Sequence, residues 1–143
     1  MSDSPCFLDA CVPMYAIGRN HPYHEACARI MVATSEGWLE AVTDSEVIQE
    51  IAYRFHSIQR RADGLVLAAQ FLEAIGDHGV LSVTRRDIVR ALELLRDHAF
   101  LLPRDAVHIA VMQAAGVSRV VTADRHFEGV PGVERVDPRD LTW

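Results

Sequence analysis

Four acidic side chains lie at positions from which they could act together on one ion or substrate. Asp9 and Asp124 each follow a short apolar run that has the composition of a buried strand. Asp105 lies at the start of a predicted helix, and Glu50 lies inside another. Converging carboxylates repel one another unless positive charge compensates them, and a hard divalent cation is the usual compensation. The residue types therefore predict a cation site made of carboxylates.

The location of the two strand-end acids favours this interpretation. In an open α/β sheet, ligands bind outside the carboxyl ends of the strands, so Asp9 and Asp124 are expected near one site. Each acid also has a structural explanation when it is taken singly. Asp9 and Asp124 could begin turns, and Asp105 could complement a helix dipole. Glu50 could form an ion pair with Arg54, four residues later. Spacing alone leaves the structural and the functional interpretation of each acid open.

Two further acids have a sufficient structural role. Thr43-x-x-Glu46 has the pattern of a capping box, in which side chains bind the free amides at a helix start. Thr84-x-x-Asp87 similarly puts an acid in the first turn of a later helix, where the helix dipole favours it. We therefore expect Glu46 and Asp87 to stabilise helix starts rather than to belong to the site.

Strands and helices alternate along the chain. Apolar runs predict strands at 6–8, 39–42, 80–83, 119–122 and 133–136. Apolar residues at helical spacing predict helices at about 22–36, around 47–58, 65–75, 88–95 and 103–116. Pro103 is expected to begin the last of these helices, and Gly116 to end it. Gly76 is expected to end the 65–75 helix as a C-cap. This alternation predicts an α/β fold: a three-layer α/β/α sandwich with a mainly parallel sheet.

Length and composition limit the classes of protein to consider. The 143 residues suit a single domain covering 1–143, and no apolar stretch approaches the roughly 18 residues of a membrane span. The N-terminus shows no signal-peptide pattern, so the expected location is the cytoplasm without membrane association. The formal charge of −6 would repel a polyanion overall, yet all 14 basic residues are arginines, which bind phosphate well. Composition therefore neither establishes nor excludes a nucleic-acid partner.

Four segments resemble PIN-domain ribonucleases, in particular the VapC-like toxins of toxin–antitoxin pairs, and the likeness extends over essentially the whole chain. The segments are Phe7-Leu8-Asp9-Ala10-Cys11-Val12, Val47-Ile48-Gln49-Glu50-Ile51, Pro103-Arg104-Asp105-Ala106-Val107-His108 and Val121-Thr122-Ala123-Asp124-Arg125-His126-Phe127. The resemblance implies the PIN-like α/β/α fold, metal-dependent hydrolysis of RNA phosphodiester bonds, a cognate antitoxin and a homodimer.

The resemblance also implies roles for individual residues. Asp9, Glu50, Asp105 and Asp124 would be the catalytic acids and would bind Mg²⁺ or Mn²⁺, with Thr122 as a neighbouring polar contact. Arg104 and Arg125 flank two of these acids and are candidates for RNA phosphate binding, although either could pair with the acids instead. His108 follows Asp105 by three residues, so it shares the same helix face and could contact substrate or pack in the core.

The segment after Asp9 departs from the family pattern. The family often has Thr or Ser and then Asn or Ser there, whereas this chain has Ala10 and Cys11. The loss of two polar groups could weaken metal binding, or shift the preference towards softer ions. A PIN-like binding module without catalysis therefore stays an alternative. A phosphatase of the haloacid dehalogenase type is a further one, but Cys11 replaces its second aspartate and the chain has no lysine.

Overall fold

Five short parallel strands form one sheet in which β1 is central. The structure, a computed structural model, describes residues 4–18 and 20–143; residues 1–3 and 19, including the first residues considered above for a signal peptide, lie outside this description. The strands are β1 Cys6–Leu8, β2 Ala41–Asp44, β3 Val80–Leu81, β4 Arg119–Val121 and β5 Glu134–Val136. Their order is β3-β2-β1-β4-β5, and every neighbouring pair is parallel. The carboxyl ends of β1, β2 and β4 therefore lie side by side at one edge.

Helical layers cover both faces of the sheet, as the alternation predicted. The helices are α1 Cys11–Ile17, α2 His24–Ser35, α3 Ser45–Ser57, α4 Arg61–Ile75, α5 Arg85–Asp97 and α6 Pro103–Ala114. Consecutive residues of a strand point to opposite faces, and Phe7 and Leu8 are both completely buried. The expected α/β/α architecture with a parallel sheet is therefore confirmed. Within residues 4–18 and 20–143, no helix is long and apolar enough to cross a membrane.

Several predicted helix ends are confirmed. Pro103 is the first residue of α6, where its missing amide hydrogen has no partner to lose. Gly76 follows α4 with a positive φ of 80°, and its amide donates to the carbonyl of Leu72. Thr84 and Asp87 form the expected reciprocal capping box at the start of α5.

The predicted capping box at Thr43 is wrong because β2 lies two residues later than expected. The amide of Leu39 donates to the carbonyl of Ala33 at the end of α2, so this residue does not join the sheet. Thr43 is consequently inside β2, where its hydroxyl donates to the carbonyl of Leu8 across 3.0 Å. The N-cap of α3 is instead Asp44, whose carboxylate accepts the amide hydrogen of Val47 at 2.8 Å.

Helix α1 was not predicted from the sequence. Its seven residues are mostly apolar, so they show no polar face from which helical periodicity could be recognised. The carbonyl of Asp9 accepts the amide hydrogen of Val12 at 3.1 Å, which begins the turn directly after β1. The helix therefore starts immediately beside the candidate site.

Close packing of α3 on α4 depends on Gly64. A Cβ atom added to Gly64 would lie 2.4 Å from the Cβ of Phe55, far inside van der Waals contact. We expect Gly64→Ala to lower the free energy of unfolding by about 1–3 kcal/mol, the usual cost of overpacking. Urea unfolding measures the change, with Gly18→Ala as the matched control, because a Cβ on Gly18 would have its nearest neighbour at 3.7 Å. Equal unfolding free energies for the two variants would contradict this prediction.

Candidate active site

Asp9 and Thr122 are brought together by the register of the two central strands. Leu8 is paired with Val121, so the residues that follow them leave β1 and β4 side by side. The Thr122 hydroxyl donates to Asp9 Oδ2 at 2.7 Å, and the Ala10 amide donates to Asp9 Oδ1 at 2.8 Å. The Thr122 hydroxyl also accepts the amide hydrogen of Asp124 at 3.0 Å. One threonine therefore orients the segments that carry two of the predicted acids.

Glu50 is a buried carboxylate that two arginines hold by one oxygen. Only 4% of the residue is exposed; its Oε1 accepts from Arg104 at 3.0 Å and forms an ion pair with Arg54 Nη2 at 3.0 Å. Burial alone would raise the pKa of Glu50, but its contact with His108 and the charges of both arginines outweigh burial and lower it. The ion pair with Arg54 that the spacing allowed is therefore present, and Glu50 is ionised at neutral pH.

Asp105 lies in the first turn of α6, and its carboxyl lacks the compensation that Glu50 receives. The residue is 6% exposed, and no hydrogen bond to its Oδ2 is present in residues 4–18 and 20–143. Burial, together with the negative charges of Asp9 and Asp124, raises the pKa of Asp105 to about 7. These three carboxylates are close enough to repel one another, as the sequence interpretation required.

Asp124 brings a histidine to the outer side of the site. Its Oδ1 accepts from the backbone amide of His126 at 2.8 Å and contacts the His126 ring Nδ1 at 2.7 Å. Ligand atoms of Asp105, Asp124 and His126 lie within 4.8 Å of one another. His126 belongs to the segment Val121–Phe127 that carried the family resemblance, but no role was predicted for it from the sequence.

His108 is completely buried on the inner side of the site. Its Nδ1 lies 2.7 Å from Asp44 Oδ2, and its Nε2 lies 3.6 Å from Glu50 Oε2. Burial alone would lower the pKa of His108, but its contacts with Asp44 and Glu50 and the nearby charge of Asp9 raise it to about 10. The histidine therefore carries a positive charge at neutral pH and balances part of the acidic cluster.

Asp44 is the residue of this cluster that the sequence interpretation missed. A recognisable signal was present, because Asp44 follows the apolar Ala41-Val42 pair and Thr43, much as Asp124 follows its own strand. The capping pattern of Thr43 and Glu46 explained this segment without any role for the acid between them. Glu46 itself lies in the first turn of α3, as expected.

All four predicted acids line one cleft of about 370 Å³. Its other charged or titratable lining residues are Cys11, Tyr15, Arg54, Arg104 and His126. Of the side chains predicted to bind substrate, Arg104 reaches this cleft, whereas Arg125 is exposed beside it and lies 3.5 Å from Glu128. Thr122 and His108 lie buried behind the acids. The Thr122 hydroxyl donates to Asp9, and His108 Nε2 lies 3.6 Å from Glu50 Oε2.

The donor atoms of the cleft suit a hard divalent cation. The acids offer carboxylate oxygens, which Mg²⁺ and Mn²⁺ prefer, and the unpartnered Asp105 Oδ2 is buried at considerable cost unless something binds it. Cys11 adds no anionic sulfur, because burial and the charge of Asp9 raise the pKa of its thiol to about 12. Its Sγ instead lies 3.7 Å from the Thr122 hydroxyl. The residues present therefore fit a cation held by oxygen.

Comparison with known proteins finds matches along most of the chain. The PIN domain family profile matches residues 6–133. A VapC ribonuclease of Mycobacterium bovis and the ribonuclease VapC13 of Mycobacterium tuberculosis are each 35% identical over 129 residues, which is 90% of this chain and 97% of each relative.

Solved structures with the same fold are more distant in sequence. The crystal structure of DNA-bound VapBC from Salmonella typhimurium aligns with a TM-score of 0.70 at 20% identity, over 94% of this chain and 98% of the other. That of Mycobacterium tuberculosis VapC20, described as a sarcin–ricin loop cleaving toxin, aligns with a TM-score of 0.68 at 18% identity, over 84% and 90% of the two chains.

Proposed function

This chain belongs to the PIN domain family and is related to the VapC ribonucleases, and from that premise we propose that it is a Mg²⁺- or Mn²⁺-dependent endoribonuclease, the toxin of a toxin–antitoxin pair. The observation that carries the metal dependence is the convergence of Asp9, Glu50, Asp105 and Asp124 on one cleft. His108 and the two arginines beside Glu50 compensate part of this charge, and a bound cation would compensate the remaining carboxylates.

We assign metal binding to these four acids. Among the buried oxygens of the described residues, Oδ2 of Asp105 and Oε2 of Glu50 accept no hydrogen bond, whereas Glu50 Oε1 already contacts two arginines. A bound cation would neutralise charge on the phosphodiester and lower the pKa of the attacking water. Thr122 holds Asp9 in place and fixes the start of the Asp124 turn, so it acts behind the acids.

The RNA backbone would be held by arginines at the cleft. Arg54 and Arg104 each use one terminal nitrogen on Glu50, which leaves other N–H donors of each guanidinium for phosphate. Arg125 lies exposed at the rim and could contact a neighbouring phosphate. These local donors would offset the repulsion that the overall charge of −6 exerts on RNA.

The same proposal includes an antitoxin, a homodimer and a cytoplasmic location. Two aligned structures, VapBC from Salmonella typhimurium and VapBC2 from Rickettsia felis, are VapBC assemblies, which supports an antitoxin partner. Large apolar side chains are exposed on several helices, which supports protein–protein contact, and among them are Tyr53, Ile58, Leu65, Val66 and Leu92.

The proposal is tested by incubating purified, partner-free protein with total cellular RNA and Mn²⁺ or Mg²⁺, beside an EDTA control. We expect discrete cuts that EDTA abolishes, with 5′-phosphate and 3′-hydroxyl ends, which the family resemblance implies for attack by water. Ends carrying 2′,3′-cyclic phosphate would rule out this mechanism. Folded protein that binds RNA but cuts none with either metal would favour the non-catalytic binding module.

A further inference from the structure

Asp44 and His108 form a completely buried polar pair behind the candidate active site. Neither residue has any exposed surface, and the His108 ring packs against Phe7 with 5.5 Å between ring centroids. Burying a carboxylate in an apolar interior is costly unless specific partners satisfy it. The pair must therefore be explained by what its atoms contact.

Both oxygens of Asp44 are used, and they connect two different helices. Oδ1 accepts the amide hydrogen of Val47 at 2.8 Å and caps α3, the helix that carries Glu50. Oδ2 lies 2.7 Å from His108 Nδ1 on α6, the helix that carries Asp105. Helix capping needs only one oxygen, and a serine would provide it. The second contact therefore requires a separate reason.

The contact with Asp44 determines which way the His108 ring faces. A ring whose Nδ1–H donates to a carboxylate has a fixed orientation, and its Nε2 then points in one direction. Here Nε2 points to Glu50 Oε2 at 3.6 Å, and neither atom has a hydrogen-bond partner in residues 4–18 and 20–143. The other oxygen of Glu50 is held by Arg54 and Arg104 at the mouth of the cleft.

We infer that Asp44 is a positioning residue, which acts through His108 to hold the Glu50 carboxylate in its place in the cleft. His108 fixes Glu50 from behind, and the two arginines fix it from the solvent side. The inference rests on the proposed function in one respect: Glu50 must take part in metal binding or cleavage. Neither Asp44 nor His108 lines the cleft, so neither is expected to contact RNA or the cation.

Two substitutions of His108 separate its two contacts. Asparagine places an amide nitrogen near the position of Nδ1, so it keeps the partner of Asp44 but leaves nothing facing Glu50. Glutamine reaches the position of Nε2 and places an amide N–H group opposite Glu50 Oε2, but it gives up the contact with Asp44. We expect His108→Asn to lower kcat by about 10–100-fold with KM for RNA nearly unchanged, the usual cost of losing such a supporting group. We expect His108→Gln to retain at least about tenfold more activity than His108→Asn.

Asp44→Ser tests the other end of the pair. Serine is an equally good N-cap but is too short to contact His108 from the same position. We expect its kcat to fall as it does for His108→Asn. In a Glu50→Gln background, His108→Asn should cause no further loss, because an effect transmitted through Glu50 cannot be lost twice. Equal losses for the asparagine and glutamine variants, or losses that add to that of Glu50→Gln, would show a merely structural role and overturn the inference.

A second measurement separates failure of this inference from failure of the proposed function. Titration calorimetry with Mn²⁺ alone, without RNA, should show a Kd about tenfold weaker for His108→Asn and Asp44→Ser than for the wild type and His108→Gln. If no variant or wild type cleaves RNA but this order of Mn²⁺ affinities holds, the positioning role stands and the ribonuclease proposal fails. Cleavage by the wild type together with the same kcat and Mn²⁺ affinity in all four proteins would overturn the positioning role alone.

Discussion

Cleavage of RNA by the Asp9→Asn variant is expected to fall by about 10²–10³-fold, the usual loss when one charge-stabilising group is removed from an active site. Asp9 lies at the end of the central strand, where its carboxylate faces the cleft and is held by Thr122 and the Ala10 amide. Asparagine has nearly the same shape: its Oδ1 can accept from the Ala10 amide, and its Nδ2 can donate to the Thr122 hydroxyl once that hydroxyl turns. The substitution therefore removes the negative charge and leaves the local fold intact.

The measurement is the initial rate of RNA cleavage at saturating Mn²⁺, together with the unfolding free energy of each protein. The matched control is Asp63→Asn, which removes an equal charge from an exposed residue that pairs with Arg60 at the surface. That control should keep wild-type activity. A variant at Asp9 that retains more than about a tenth of the wild-type rate would exclude this residue from the reaction centre.

Without metal, Asp105→Asn is expected to stabilise the protein at neutral and alkaline pH. The folded protein keeps the Asp105 carboxyl protonated up to a pKa of about 7, whereas the unfolded chain loses this proton near the ordinary value of 3.8. Between these values unfolding releases a proton, so wild-type stability falls as pH rises from 4 to 7 and stays low above it. Three pKa units correspond to about 4 kcal/mol. Asparagine does not ionise and avoids this loss.

Urea unfolding in EDTA between pH 4.5 and 8.5 measures this effect as the difference between the variant and the wild type, referred to its value at pH 4.5. Other groups that titrate, such as His108, are common to both proteins and largely cancel from the difference. Saturating Mn²⁺ should restore stability at pH 8 in the wild type, because binding to the folded state alone stabilises it, and should do so far less in the variant. If the unfolding free energies of the variant and the wild type change in parallel with pH in EDTA, the pKa of Asp105 is not raised in the folded protein.

The sequence alone was sufficient for the layers of the fold and for choosing four acids that line one cleft. Alternating apolar runs and helical periodicity depend only on neighbouring residues, which is why most helices and all five strands were found close to their observed positions. Pro103 and Gly76 fix local backbone geometry and therefore gave reliable helix ends. Acids at strand ends were informative because parallel strands present their carboxyl ends at one edge.

Local patterns failed where a contact from elsewhere in the chain decided the outcome. The start of β2 is set by the Leu39 amide, which binds the end of α2 instead of the sheet. Thr43 fits a capping pattern, but its hydroxyl binds Leu8, 35 residues away, and the cap passes to Asp44. No spacing rule distinguishes these outcomes, because the competing partners are equivalent in chemistry and differ only in where the fold places them.

The sequence by itself therefore identified four acids that the fold brings to one cleft, and the sheet edge at which the carboxyl ends of the parallel strands meet. Only the tertiary structure decided how their charges are balanced. The sheet order β3-β2-β1-β4-β5 brings Asp44 to His108 across 64 residues, and Arg104 to Glu50 across 54. These contacts lower the pKa of Glu50, whereas Asp105 Oδ2 accepts no hydrogen bond from residues 4–18 and 20–143 and the pKa of Asp105 is raised. A pKa depends on burial and on neighbouring charges, which chain spacing does not specify.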